Sequence, residues 1–335
     1  MDANQPPARL RILIIRLGST GDILLATPII RAISQQIEGA KIHFLVNKKN
    51  KELLASNPHI EKIHIYQDAT NALAKELKAE QFDFVVDLQH NRRSKRICNQ
   101  LNLPCSFLKT HPFKKWMCVR LKINTLPHKH LVERYFETVE AIGVHNDFQG
   151  LEYRIPEEEI FDTDNLPVFF EDGYVVIALD AERATQRIPN TKIIEIATIL
   201  HKPVILLGGK EVKDIGQEIV SQLGDRAYNA CGEFSFNQCA SLIQQSACLL
   251  TGDSAFMHLA TALNKPVCSL WGSTVPEFGK YPYIPEQRQL FRIFETCSLK
   301  CRPCAQTGFK KCPRRHFRCM NKISAVEVAD WINQF

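Results

Sequence analysis

Continuous apolar runs alternate with helix-patterned stretches through most of this 335-residue chain. The runs span residues 10–17, 41–46, 82–88, 174–179, 204–207, 248–251 and 267–271. Strands that are apolar on both faces must be covered on both, as in a parallel sheet between layers of helices. Between runs, apolar residues recur at helical spacing, as at Ala26, Ile30, Ile33 and Ile37. The rhythm breaks between about Ile155 and Gly173, where acids and prolines gather (PEEEIFDTDNLP). A chain of this length usually exceeds one core. The expectation is therefore two doubly wound α/β halves facing a cleft. The broken stretch serves as linker and hinge, and ligands sit at the C-terminal ends of the strands.

Hydrophobic residues at 45% and charged residues at 23% exclude a mainly disordered chain. The net charge of +6 is too small by itself to argue for a nucleic-acid partner. No run of 18 uncharged apolar residues is present, so no transmembrane helix is predicted. The opening MDANQPPARLRILIIRL lacks a signal-peptide core, which predicts a cytoplasmic chain with reduced thiols. Residues 109–122 (KTHPFKKWMCVRLK) mix basic and aromatic groups. They read first as a solvated loop and helix, with an anionic lipid surface as the alternative they also suit.

Three glycine-containing turns follow predicted strands. The first, Gly18-Ser19-Thr20-Gly21-Asp22, is neither a P-loop nor a dinucleotide fingerprint. Asp22 stands at the mouth of the expected cleft, where a carboxylate can take a proton from a hydroxyl. Ser19 and Asp22 also read as a plain capping box. The second turn, Gly208-Gly209-Lys210-Glu211, places an acid that suits a ribose diol or simply a helix's first turn. In the third, Gly252-Asp253-Ser254 leads into a helix from Ala255. Amides at such a helix start bind anions, and His258 lies one turn in. Asp253 as a cap and His258 as a helix-face residue are the structural alternatives.

Five of the twelve cysteines share one short stretch: Cys297-x3-Cys301-x2-Cys304-x7-Cys312-x6-Cys319. In a reduced compartment this favours a metal over disulfides. Four thiolates suit a structural zinc or iron. The interleaved Lys300, Arg302, Lys310, Lys311, Arg314, Arg315 and Arg318 offset their charge. Free thiols and a redox role are the alternatives, because the second CxxC of a standard ribbon is missing. A basic cysteine module with Phe309, His316 and Phe317 also fits a nucleic-acid ribbon. Its position after a complete two-domain chain argues against that, and no nucleic-acid partner is expected.

The segment RILIIRLGSTGDILLATPIIRAI resembles the opening of glycosyltransferase family 9, the ADP-heptose:lipopolysaccharide heptosyltransferases. TGDSAFMHLATALNKPVCSLWGSTVPE resembles that family's nucleotide-sugar motif, and FDFVVDLQHNRRSKR and HLVERYFETVEAIGV look like family segments. The resemblance implies a GT-B fold of two Rossmann-like domains and inverting sugar transfer with no catalytic metal or cofactor. It implies Asp22 as base on the acceptor hydroxyl. It implies a donor site at Asp253, Ser254 and His258, with Ala255 in the same turn, and Glu211 as an acid near the nucleoside; the Gly208-Gly209 turn and Arg187, as a substitute charge, are read as joining it. His90, Arg92, Arg93 and Arg96, with Lys95, follow the run 82–88 and suit a phosphorylated lipid A–core acceptor, or form a basic helix start. A lipid-linked acceptor implies peripheral contact with the cytoplasmic face of the inner membrane.

Two departures stand out. Gln186 replaces a frequent family lysine, with Arg183 or Arg187 as substitute charges, and Ala255 replaces a usual glycine. They make a sugar-nucleotide-binding protein without transferase activity the alternative. The expected organisation is an acceptor-side domain over 1–160, a nucleotide-sugar domain over 161–295, a cysteine-rich segment over 296–322 and a helix over 323–335. By resemblance, that helix crosses back to the first domain.

Overall fold

The computed structural model describes residues 10–68 and 71–335; the segment 1–9, part of the signal-peptide reading, lies outside the described residues. The chain divides into two compact units. One is Met1–Thr110 with Lys129–Arg154, the other His111–His128 with Ile155–Phe335.

In the first unit, β1 (Arg11–Ile15), β2 (Lys41–Asn47), β3 (Lys62–Tyr66), β4 (Phe84–Asp87) and β5 (Cys105–Phe107) form one sheet in the order β3-β2-β1-β4-β5. Every pairing is parallel. β1 is central, and Ile12 to Ile15 are all fully buried. Burying each such side chain is worth about 1.5–3 kcal/mol. One face packs Leu13, Ile15, Leu45 and Val85 against Leu73, Leu77 and Ile97 of the covering helices. Helix Thr27–Gln36 has a proline in its first turn, where the missing N–H costs nothing.

In the second unit, β6 (Val175–Ala178), β7 (Val204–Leu207), β8 (Ala227–Asn229), β9 (Cys248–Thr251), β10 (Val267–Trp271) and β11 (Phe291–Glu295) run β11-β10-β9-β6-β7-β8. These pairings are also all parallel. Both sheets are thus doubly wound. Strand order reverses between β1 and β4 in one and between β6 and β9 in the other, which are the positions where such folds bind ligands.

Two expectations change. The stretch 155–173 is not a free linker along its length, because Phe161 and Phe170 pack on the second unit, while Ile160, Val168 and Phe169 stay exposed. Phe161 N donates to Ser241 Oγ at 2.9 Å, Ser235 Oγ donates to Glu159 at 2.6 Å, and the Phe161 ring meets Phe234 edge-on. The unit boundary falls at its start. The C-terminal helix, Ala325–Ile332, does not leave the second unit, since Val328, Ala329 and Ile332 are part of that unit's core. The segment that changes units is His111–His128. Cys118 of helix Pro112–Arg120 packs with Leu126, Val275 and Phe278. Among the described residues, no helix is long and apolar enough to cross a membrane.

Candidate functional site

Asp22 lies in the short helix Thr20–Leu24 directly after β1 and is 6% exposed. Its Oδ2 takes an ion pair from Arg16 Nη2 and a hydrogen bond from Ser19 Oγ at 3.2 Å. Ser19 is the N-cap residue but makes no side-chain cap bond, so its hydroxyl serves the carboxylate instead of the backbone. Arg16 Nη1 donates to Leu88 O at 2.6 Å, and Tyr135 Oη donates to Asp22 O at 3.5 Å. Burial works against the Arg16 charge. Asp22, with Tyr135 and Asp87 behind it, outweighs burial and raises the guanidinium above its ordinary range. The carboxylate is therefore fixed in place beside a permanent cation.

The basic loop after β4 shares this end of the sheet. Asp87 Oδ1 accepts from Gln89 N at 2.9 Å and His90 N at 2.8 Å, and Leu17 N donates to Gln89 Oε1 at 3.1 Å. The loops after β1 and β4 are thereby tied together. His90 has φ of 43°, its Nδ1 bonds Leu108 O at 2.7 Å, and its ring stacks on Phe107. Asn91 caps helix Arg92–Leu101, accepting from Arg93 N and Ser94 N. Arg92, Arg93, Lys95 and Arg96 are exposed. Cations at a helix start oppose its dipole by about 0.3–1 kcal/mol each, so a bound anion would relieve them.

In the second unit, β9 ends in Gly252, where an added Cβ would lie 2.0 Å from Gln186 O. Backbone cannot yield at that distance, so only glycine fits. Asp253 Oδ2 accepts from Gln186 Nε2 at 2.7 Å and from Thr274 Oγ1 at 2.8 Å. Gln186 therefore reaches this turn as a neutral hydrogen-bond donor. Ser254 Oγ pairs with Thr251 Oγ1 at 2.7 Å at the start of helix Ala255–Ala262. Ala255 is half-buried and His258 is buried. After β7, side chains on Gly208 and Gly209 would strike Val212 and Glu211 at 2.4 and 2.3 Å. Glu211 neighbours Asp180, whose carboxyl is raised by burial first and by Glu211 next. Arg187 Nη2 holds Asp180 Oδ1 at 3.2 Å. Arg187, Asp180 and Glu211 thus gather around the ends of β6 and β7, while Gln186, Asp253 and Thr274 gather around β9 and β10. Sequence reading missed Asp180 and Thr274, although Asp180 immediately follows a predicted strand.

Gly252→Ala is expected to cost about 1–3 kcal/mol, the usual range for overpacking. It should also displace Asp253 and weaken nucleotide-sugar binding. Thermal unfolding and calorimetric titration check both, and unchanged binding would show that the close approach is not needed.

In the cysteine-rich segment, the Cys304 thiol is pushed up to about 11 by burial, with Cys301 and Cys319 adding to it. Cys319 is raised by burial, and Cys312 and Cys301 also face it. Cys301 and Cys319 thus lie around Cys304 and Cys312 faces Cys319, while His316 Nε2 lies 3.9 Å from Cys301 Sγ; among the described residues, no three of these sulfurs come within 4.8 Å of one another. Cys297 is exposed. Buried Arg302 donates to Gly272 O, Thr274 O, Thr296 O and Glu295, while Cys304 N donates to Ser273 O at 2.9 Å. Phe309 N donates to Thr185 Oγ1 at 2.7 Å. The segment thus braces the loops that hold Gln186 and Thr274. Phe317 packs on the core and is not an open stacking platform.

Comparison with known proteins agrees with this layout. The model of glycosyltransferase family 9 (heptosyltransferase) matches residues 70–312. Lipopolysaccharide heptosyltransferase 3 of Escherichia coli K12 is 25% identical over 309 residues, covering 81% of this chain and 89% of that protein. The structure of E. coli ADP-heptose lipopolysaccharide heptosyltransferase II superposes with a TM-score of 0.73 at 19% identity, covering 97% and 98% of the two chains. The iron-containing dodecameric glycosyltransferase TibC of enterotoxigenic E. coli gives 0.58 at 15% identity, covering 97% and 76%. The chain belongs to glycosyltransferase family 9, the heptosyltransferases, and is a glycosyltransferase of the GT-B class.

Proposed function

We propose that this enzyme transfers heptose from ADP-heptose to a lipopolysaccharide core acceptor, with inversion and without a catalytic metal. The observation that carries this reading is Asp22, a buried carboxylate fixed by Arg16 and Ser19 at the switch point after β1. Asp22 takes the acceptor hydroxyl proton as that oxygen attacks the anomeric carbon. The bond from that carbon to the diphosphate oxygen breaks on the opposite face, and ADP leaves with the electron pair. Its growing negative charge meets the amides at the start of helix Ala255–Ala262. Gln186 is neutral and already bonded to Asp253, so these amides carry more of that task than in relatives with a lysine there. Glu211 and Asp180 suit the ribose hydroxyls. Arg92, Arg93 and Arg96, with His90 as an anchored neighbour, suit acceptor phosphates. The names of the relatives support both the sugar and the acceptor. The chain would act at the cytoplasmic face of the inner membrane as a peripheral protein.

The test is turnover by the purified chain with ADP-heptose and a lipid A–core acceptor. Acceptor-dependent ADP release, with a heptose added to the acceptor mass, is expected. Tight ADP-heptose binding without release on any core acceptor would overturn transfer in favour of a binding protein.

The spacing of Cys301, Cys304, Cys312 and Cys319 and the chemistry of four thiols suit a structural zinc or iron, and the sulfurs would have to close in around it, because no three of them lie within 4.8 Å of one another among the described residues. TibC is described as iron-containing. A metal there supplies a cross-link and holds the thiols as thiolates; sugar transfer does not use it. Metal analysis is expected to find about one zinc or iron per chain. Cys304→Ser should abolish that metal and lower the melting temperature. A metal-free parent chain would remove the site.

A further inference from the structure

A second polar cluster lies in the first unit, on one face of the sheet beneath a covering helix. β2 and β3 both contain Lys-Ile-His, at Lys41 to His43 and Lys62 to His64. Their register pairs His43 with Lys62 and Leu45 with His64. With side chains alternating along each strand, both histidines share one face. That face is covered by helix Asn71–Ala79, which supplies Glu76 and is followed by Glu80. Glu80 O accepts from Arg11, the first residue of β1, while His43 and His64 stand level with Leu13 and Ile15 of that strand.

His43 and His64 are 3% and 1% exposed. His43 Nδ1 lies 3.0 Å from His64 Nε2 and 3.8 Å from Glu80 Oε2. Among the described residues, these three side chains offer ligand atoms that all lie within 4.8 Å of one another. Ligands on a tetrahedral zinc with bonds of about 2.0–2.2 Å are themselves about 3.2–3.6 Å apart, so small adjustments suffice.

The surroundings prepare the ligands. Glu76 Oε1 lies 2.8 Å from His64 Nδ1. An ionised carboxylate only accepts, so Nδ1 holds the proton and Nε2 turns its lone pair inward. This is the carboxylate–histidine support typical of metal sites. Lys62 engages Glu80 Oε1, and Oε2 is the oxygen facing His43. Burial, then His64, holds His43 below the ordinary histidine range and so neutral. Phe82 meets both rings edge-on. Exposed Glu76 and partly exposed Glu80 open the cluster to solvent.

We propose that His43, His64 and Glu80 bind a divalent first-row transition ion of the Zn2+ type, with water completing the coordination. The ion ties β2 and β3 to the end of helix Asn71–Ala79 and takes no part in sugar transfer.

Titration of the full-length protein with Co2+ tests this apart from the cysteine cluster. Cobalt held by two imidazoles and a carboxylate absorbs in the visible without a thiolate charge-transfer band. The parent is expected to show this thiolate-free signal, saturating at about one equivalent and displaced by Zn2+. His64→Gln should lose it. Glu76→Gln changes only an exposed supporting residue and should weaken binding about 10–100-fold with the fold intact. Only thiolate-type cobalt in the parent, or identical titrations of the parent and Glu76→Gln, would overturn the site.

Discussion

Asp22→Asn is expected to lower kcat by about 10²–10⁴-fold, the usual contribution of a positioned general base, while ADP-heptose binding persists. Asparagine keeps the shape of the side chain and can still accept from Arg16 and Ser19, but it cannot take the acceptor proton. The two partners make this variant more informative than truncation. Arg16 is buried and ion-paired to Asp22. Asp22→Asn and Asp22→Ala both leave that charge without its counter-ion, at a cost of up to about 3–5 kcal/mol, but asparagine keeps an acceptor for Arg16 and so loses less stability than alanine, which removes the acceptor as well. Arg16 keeps its bond to Leu88 O in either variant. The measurements are kcat, calorimetric affinity for ADP-heptose and melting temperature of the Asn variant. If kcat stays within about tenfold of the parent, below the range for a general base, another group accepts the proton.

What could be read in advance divides along physical lines. All seven strands read from apolar runs are interior strands of the two sheets. The four not read, β3, β5, β8 and β11, are the four edges. Interior strands such as β6, β7 and β9 are buried at every residue, which forces a continuous apolar run. An edge strand is covered less completely. KIHIY, CSF, AYN and FRIFE each mix polar or exposed positions into a short segment. His43 and His64 were overlooked for a related reason, since a histidine within a strand gives no sign of what the neighbouring strand places beside it.

The candidate site was legible wherever local spacing determines it. Asp22, Asp253 and Glu211 stand in or just beyond the glycine-containing turns that follow strands, and the chain turns there whatever else it does. Their partners were not legible. Gln186 bonds to Asp253 across 67 residues, and Arg302 reaches Gly272 across 30. Such pairings follow from the order of strands in the sheet, which no local pattern contains. The partial packing of the 155–173 stretch has the same origin. The acidic character of 155–173 was plain, but Phe161 and Phe170 gave no hint of the surface that would cover them.

Arg31→Met is expected to destabilise the first unit by about 3–5 kcal/mol at neutral pH, a large share of a typical domain's 5–15 kcal/mol. Arg31 lies in helix Thr27–Gln36 and is 5% exposed. It donates from Nε and Nη2 to the two oxygens of Asp147 at 2.8 and 3.0 Å, from Nη1 to Glu152 at 3.2 Å, and from Nη2 to Gly150 O at 2.9 Å. One guanidinium thus pins the returning segment 147–152, the last of this unit, and Glu152 N adds a bond to Thr27 Oγ1. Burial alone would raise Asp147, but Arg31 outweighs it and holds the carboxyl below its ordinary value. A carboxyl depressed in the folded state adds stability above its unfolded pKa, and that stability is lost as pH falls through the folded value. Without Arg31, burial acts unopposed and the advantage disappears. The gap in denaturant midpoint between parent and variant should therefore be widest near pH 7 and narrow in acid, below the ordinary carboxylate pKa of about 3.9. A gap of equal size at both pH values would assign the loss to packing of the arginine stem. Arg31 is not assigned to the reacting groups, so transferase activity should fall only with the folded fraction, and kcat per folded molecule should hold.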